Sequence, residues 1–159
     1  MLGGWKTAGP QALGWTGATE DTIHEISSEE YLKGLVSDPK LKFYVSEDNG
    51  EITGFAATRV QDGSSMELAG IVVRDDLLGK GIGSLLISKC IDSARDAGFA
   101  SMTVKTESSN ERAISFYEKR GFVRIGNVVE TVENSEVDLA MLGLSLIAGR
   151  QTGGCLWIP

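Results

Sequence analysis

The stretch MELAGIVVRDDLLGKGIGSLLISKC, Met66 to Cys90, passes from an apolar run through a glycine-rich bend into a helical pattern. Met66 to Val73 has the near-continuous apolar content of a central strand covered by helices on both faces. Ile82, Leu85, Leu86 and Cys90, continued by Ala94 and Ala97, recur at spacings that build one face of a helix. At the standard rise, a helix from Gly81 to Ala97 spans about 25 Å. Between them, Leu77 to Gly83 joins a strand end to a helix start. That arrangement leaves several amide hydrogens free at the positive end of a helix, a place suited to phosphate. Gly81 and Gly83 lack a Cβ and permit close backbone approach. A glycine-containing connection that binds nothing fits the short Gly-x-Gly pattern equally well. A Walker A loop is excluded because the closing Gly-Lys-Ser/Thr is missing, and the spacing is poor for a dinucleotide fingerprint.

Upstream, Leu41, Phe43 and Val45 alternate toward Asp48-Asn49-Gly50, and Ile52, Phe55 and Ala57 follow, which predicts a hairpin. Before it, Tyr31, Leu32, Leu35 and Val36 form a helical stripe that Asp38-Pro39 stops. The glycine- and threonine-rich first twenty residues are expected to be loop. Downstream, Gly98 ends the long helix, Met102 to Thr106 forms a strand, and a second helix runs from about Asn110 to Arg120. Gly121-Phe122 opens strand material through Ile125, and Val137, Leu139 and Met141 alternate in a final strand that reaches toward Ile147. This order predicts an α/β fold with a mixed sheet. One domain is expected over residues 1–148, ordered from about residue 22, with residues 149–159 as a tail.

The chain has 159 residues and a formal charge of -7, with 22 acidic against 15 basic side chains. That balance disfavours attraction to nucleic acid or an anionic membrane, although backbone amides can still hold a phosphate. Leu139 to Ala148 is too short and interrupted to cross a bilayer, and the first residues show no signal-peptide pattern. Cys90 and Cys155 form no close pair and His24 is the single histidine, so no metal site is expected. These features suggest a cytoplasmic protein.

Leu68 to Arg74 followed by Leu78-Gly79-Lys80-Gly81-Ile82-Gly83 resembles the strand, pyrophosphate loop and helix start of the GNAT superfamily of N-acetyltransferases. Asn110 to Phe122 (NERAISFYEKRGF) resembles its second signature. The resemblance covers about 80 residues, from Phe43 to Phe122. It implies an acyl-CoA N-acyltransferase-like fold, a mixed twisted sheet of six or seven strands flanked by helices, with the central parallel strands splayed. It also implies transfer of an acetyl group from acetyl-CoA to a primary amine by direct attack in a ternary complex, without a metal. On the segment Ile71-Val72-Val73, the backbones of Ile71 and Val73 would pair with the pantetheine arm, and the Val73 amide would polarise the reacting carbonyl. The amides of Gly79, Lys80, Gly81, Ile82, Gly83 and Ser84 would receive the pyrophosphate. Asn110 would contact pantetheine, and Tyr117 would approach the sulfur and protonate the leaving thiolate. Leu78 departs from the family's usual arginine or glutamine, which implies weaker or differently arranged binding, with Lys80 as another donor.

The general base is less marked. Glu67, at the start of the central strand, is the first candidate beside a plain edge-residue reading, and His24 is weaker. Arg124, Glu130, Glu133 and Glu136 either line the acceptor region or form a solvated loop. Lys105 stands where relatives that acetylate protein N-termini usually carry glutamate, so a small amine, an aminoglycoside-like compound or a lysine side chain stays open as acceptor. The family often dimerises, so a homodimer with Leu139 to Ile147 near its contact is an open expectation. Two alternatives remain: a non-catalytic acyl-CoA-binding sensor, and an acyltransferase that uses a larger acyl group.

Overall fold

The computed structural model describes residue 33 and residues 36–132 and 135–147. Two strands, β1 (Leu41–Asp48) and β2 (Glu51–Val60), form the first hairpin. Its turn places Asn49 at φ 51° and Gly50 at φ 83°, the left-handed pair that matches strand twist in a two-residue loop. A central strand β3 (Ser65–Val73) leads through a short 3₁₀ turn (Asp75–Leu77) to helix α1 (Ile82–Asp96). Then follow β4 (Ser101–Glu107), helix α2 (Glu111–Glu118), β5 (Val123–Val132) and β6 (Ser135–Ser145). The described strands form one six-stranded sheet in the order β1-β2-β3-β4-β6-β5. Only β3 and β4 run parallel among them, because α1 carries the chain back across the sheet between them.

The main core lies between the sheet and the helices, with Leu68, Ile87, Met102, Val104, Phe122 and Leu142 nearly or wholly buried. Close approach of α1 depends on Gly54 of β2. A Cβ there would stand 2.8 Å from the carbonyl oxygen of Val72 and about as near the side chains of Leu86 and Ile82.

Three expectations need correction. In β3, Met66, Leu68, Gly70 and Val72 are buried, but Glu67, Ala69, Ile71 and Val73 are only half so. The strand therefore alternates, although its residues are apolar almost throughout. In β6, the wholly buried residues are Ala140 and Leu142, while Val137 and Met141 of the expected alternation are half-buried. The strand does not end near Ile125: β5 runs on to Val132 and pairs with β6 from Val123↔Gly143 to Val132↔Ser135. Glu130 and Glu136 sit on that hairpin, where β pairing overrides the turn-like Gly126-Asn127.

The first twenty residues, most of the expected first helix, and the tail lie outside the described residues. Among the described residues no helix is long and apolar enough to cross a membrane.

Candidate active site

The parallel ladder between β3 and β4 extends from Ser65↔Ser101 to Leu68↔Val104 and stops there. Both strands continue, β3 to Val73 and β4 to Glu107, and β4 keeps its pairing with β6 as far as Glu107↔Leu139. The register with β2 jumps at the same place: Thr58 faces Leu68 and Ala57 faces Gly70, so Ala69 is left over as a bulge. A bulge adds a residue to one strand and bends it, and here it turns β3 away from β4. Above the bulge, the Arg74 amide donates to the carbonyl of Thr53 at 3.0 Å. Peptide groups alternate along a strand, so the amides and carbonyls of Ile71 and Val73 point away from β2 and into the gap. An open strand edge of this kind accepts an extended, amide-bearing ligand.

The bend after β3 is anchored from below. The Arg74 guanidinium donates to Asp76 Oδ1 at 2.7 Å and to Glu51 Oε2 at 2.9 Å, tying the 3₁₀ turn to the start of β2. The same guanidinium holds the Asp76 carboxyl below its ordinary range. Gly79 and Gly81 then adopt φ 79° and 86°, and a Cβ on either would meet nothing within 4 Å. Their requirement is conformational. Gly83 is different: its φ is not positive, and a Cβ there would stand in van der Waals contact with the Phe116 ring at 3.4 Å and with Val73 at 3.6 Å. The two glycines of the Gly-x-Gly pattern thus differ, since Gly81 turns the chain and Gly83 lies against α2. The Lys80 amide reaches the Leu77 carbonyl at 3.3 Å, and the Leu85 amide begins the helix on Gly81. The amides of Gly79, Gly81, Ile82, Gly83 and Ser84 have no acceptor among the described residues. Five free donors at a helix N-terminus, next to an open strand edge, fit a pyrophosphate and its extended arm. Leu78, half-exposed at 43%, adds no donor from its side chain.

Helix α2 approaches the bend from the far side of the gap. Asn110 caps it, its Oδ1 accepting from the Ala113 amide at 3.0 Å, which engages one polar atom of the residue expected to contact pantetheine. Tyr117 is 6% exposed and its ring packs edge-on against Phe116 and at a tilt against Phe122. Burial pushes its hydroxyl pKa well above the ordinary tyrosine range, and the Arg120 charge only partly opposes that. The group therefore stays protonated, as a donor must. Arg120 was not singled out from the sequence. Its guanidinium donates to Ser84 Oγ of α1 and, at 2.5 Å, to the Phe116 carbonyl, and it lies 3.6 Å over the Phe116 ring. The i,i+4 spacing from Phe116 was its signal.

The first base candidate, Glu67, lies at the closed end of the gap with its side chain 14% exposed. Arg59 of β2 donates twice to its Oε2, at 2.8 and 3.2 Å. Oε1 has the Lys105 ammonium 4.0 Å away, and Lys105 in turn pairs with Glu130 at 2.5 Å. Four side chains of alternating sign thus cross the sheet. Arg124 bonds to Asn127 on its own strand, apart from that row. His24 and Glu133 lie outside the described residues. Among the described residues no three His, Cys, Asp or Glu side chains are grouped to hold a metal.

Comparison with known proteins places this geometry. A profile of the acetyltransferase (GNAT) family matches residues 11–122. The chain is similar to an L-amino acid N-acyltransferase, MnaT, of Escherichia coli K12, at 33% identity over 83% of this chain and 78% of that protein. It is 34% identical to an L-methionine sulfoximine/L-methionine sulfone acetyltransferase of Salmonella typhimurium, over 68% of this chain and 63% of that enzyme. Its fold is shared with a GNAT family acetyltransferase from Elizabethkingia anophelis solved with acetyl-CoA bound. The TM-score is 0.62 and the identity 20%, over 74% of this chain and 83% of that one.

Proposed function

The chain belongs to the acetyltransferase (GNAT) family, and from that premise we propose that it transfers an acetyl group from acetyl-CoA to a primary amine by direct attack in a ternary complex. The observation that carries this reading is the coincidence of the opened β3–β4 edge with five unpartnered amides at the start of α1. In this proposal those amides hold the pyrophosphate, and Ile71 and Val73 hold the pantetheine arm. When bound, acetyl-CoA supplies an activated thioester carbonyl. The Val73 amide polarises its oxygen, and the Tyr117 hydroxyl donates a proton to the departing thiolate. Glu67 is the proposed proton acceptor for the amine, directly or through water, because both Arg59 bonds fall on Oε2, while Oε1 has only the Lys105 ammonium near it, at 4.0 Å and beyond hydrogen-bond length.

Cys90, the one cysteine among the described residues, is a poor acyl carrier: it is wholly buried, and burial pushes its thiol up to about 12, so its nucleophilic thiolate is scarce. For the acceptor, the two relatives named for amino-acid substrates favour the α-amine of a small L-amino acid or analogue. The alternating Arg59, Glu67, Lys105 and Glu130 side chains offer both signs that a zwitterion needs.

The test is turnover by the full chain with acetyl-CoA and longer acyl-CoAs across L-amino acids, polyamines, aminoglycosides and peptides. Thiol release and product mass are read together. Intersecting initial-velocity lines and N-acetylated amino acids are expected. Parallel lines would indicate an acyl-enzyme, and saturable coenzyme A binding without turnover on any amine would make the protein a binding module.

A further inference from the structure

We propose that Arg120 is a positioning residue that locks the first turn of α1 to the last turn of α2, and thereby sets the proposed phosphate-binding amides against the Tyr117 hydroxyl. The inference rests on the acetyl-CoA reading above and deepens it.

Two separate elements supply the proposed machinery. The Gly83 and Ser84 amides belong to α1, and Tyr117 belongs to α2. No backbone hydrogen bond joins the two helices among the described residues, so their spacing depends on side chains. Arg120 supplies the link. One arm of its guanidinium donates to Ser84 Oγ on α1, and the other donates to the Phe116 carbonyl on α2. Its flat face covers the Phe116 ring, whose atoms lie 3.4 Å from where a Gly83 Cβ would be. Phe116 is therefore flanked by the guanidinium and the backbone of Gly83, and its own ring meets Tyr117 edge-on with centroids 5.4 Å apart. A shift of Arg120 moves both Gly83 and Tyr117.

Only a planar fork does this. Lysine has a point charge that can bond one of the two partners and cannot stack in the same way. The half-exposed Leu78 offers no polar group in the bend, which leaves the backbone amides as the main phosphate donors and makes their placement matter more.

The experiment measures the coenzyme A dissociation constant by calorimetry and the steady-state constants of Arg120→Met, Arg120→Lys, Ser84→Ala and the Met/Ala double variant. Arg120→Met keeps the aliphatic length and loses the fork. It is expected to weaken coenzyme A by about 10-fold, the size of a coupled-contact loss. It should also lower kcat, while KM for the amine stays near wild type. Ser84→Ala, which removes only a hydroxyl, should weaken coenzyme A by about 3-fold. The double variant should be no worse than Arg120→Met, because both changes cut the same link. Arg120→Lys should fail to restore either constant.

Wild-type coenzyme A affinity and kcat in Arg120→Met would overturn the proposal, as would additive losses in the double variant. Full rescue by lysine would also overturn it, since Arg120 would then act as a charge on the phosphate. If Arg120→Met does not fold, Ser84→Ala and the lysine variant decide by the same criteria. Calorimetry with coenzyme A keeps this test separate from turnover: a wild-type protein that binds but does not acetylate sinks the enzymatic proposal and leaves the link intact.

Discussion

The two halves of β3 share one alternation of burial and differ in their partners. Met66 to Leu68 is paired on one edge with β2 and on the other with β4, whereas Gly70 to Val73 is paired with β2 alone. Ala69, the extra residue, sits at the change. The lower half is ordinary sheet interior, and its worth is stability. The upper half keeps its peptide groups open on the β4 side, and in the proposed function that edge binds the cofactor arm. A protein that splits a parallel pair inside its own sheet gains a preformed ligand edge, and the neighbouring strands hold it rigid.

The largest separation of the two halves should come from Leu68→Ala. Leu68 is 2% exposed and is the last residue paired on both sides, so its loss leaves a cavity worth about 2–5 kcal/mol. In a domain of this size Tm should fall by roughly 6–15 °C. Below that temperature coenzyme A affinity should stay within about 3-fold, because distant sites are nearly additive. Loss of affinity as large as the loss of stability would mean that the halves are one unit.

Tyr117→Phe addresses the open half from its other wall. Removing the hydroxyl keeps the ring between Phe116 and Phe122, so Tm and coenzyme A affinity should hold while kcat falls by about 10²-fold. Burial raises the hydroxyl pKa, so the acid form persists as pH rises through the ordinary tyrosine value of about 10. The variant should therefore lower the pH–rate profile without moving any alkaline limb below about pH 10. A limb that disappears in the variant would mean that Tyr117 ionises within that range.

A smaller effect is expected at Gly81→Ala. A left-handed residue with a Cβ costs about 1–2 kcal/mol, so the amides that follow should be displaced and coenzyme A should bind about 5–10-fold more weakly. Tm should move by only a few degrees, in contrast to Leu68→Ala, and calorimetry with thermal melts reads both. The smallest effect, and a gain, is expected from Leu78→Arg. A guanidinium at this exposed position should tighten coenzyme A by about 2–4-fold through a charge-assisted contact. The gain should shrink between low and physiological salt; salt-independent tightening would indicate packing.

Much of the frame was legible because local signals agreed with it. Asn49-Gly50 marked a hairpin, the apolar stripe from Ile82 marked α1, and the pattern from about Asn110 marked α2. The Leu78 to Ser84 and Asn110 to Phe122 patterns pointed to one ligand. The departures have a common cause. Strand alternation in β3 and β6 depends on which neighbours cover each face, and β5 extends past Gly126-Asn127 because β6 pairs with it. Neither is a local property.

Residue pattern alone settled the kind of protein: the order of strands and helices, a glycine-rich bend at the start of the long helix, and the family to which those patterns belong. Turn conformation, helical periodicity and motif spacing are encoded over a few neighbouring residues, so they can be read without the fold. The tertiary structure decided the rest. It placed the Ala69 bulge where β4 pairing ends, assigned Gly83 to packing, engaged Glu67 with Arg59 and Lys105, and brought Arg120 onto Ser84. Each of these joins residues that are distant along the chain, and only close packing of the whole sheet and its helices brings them into contact.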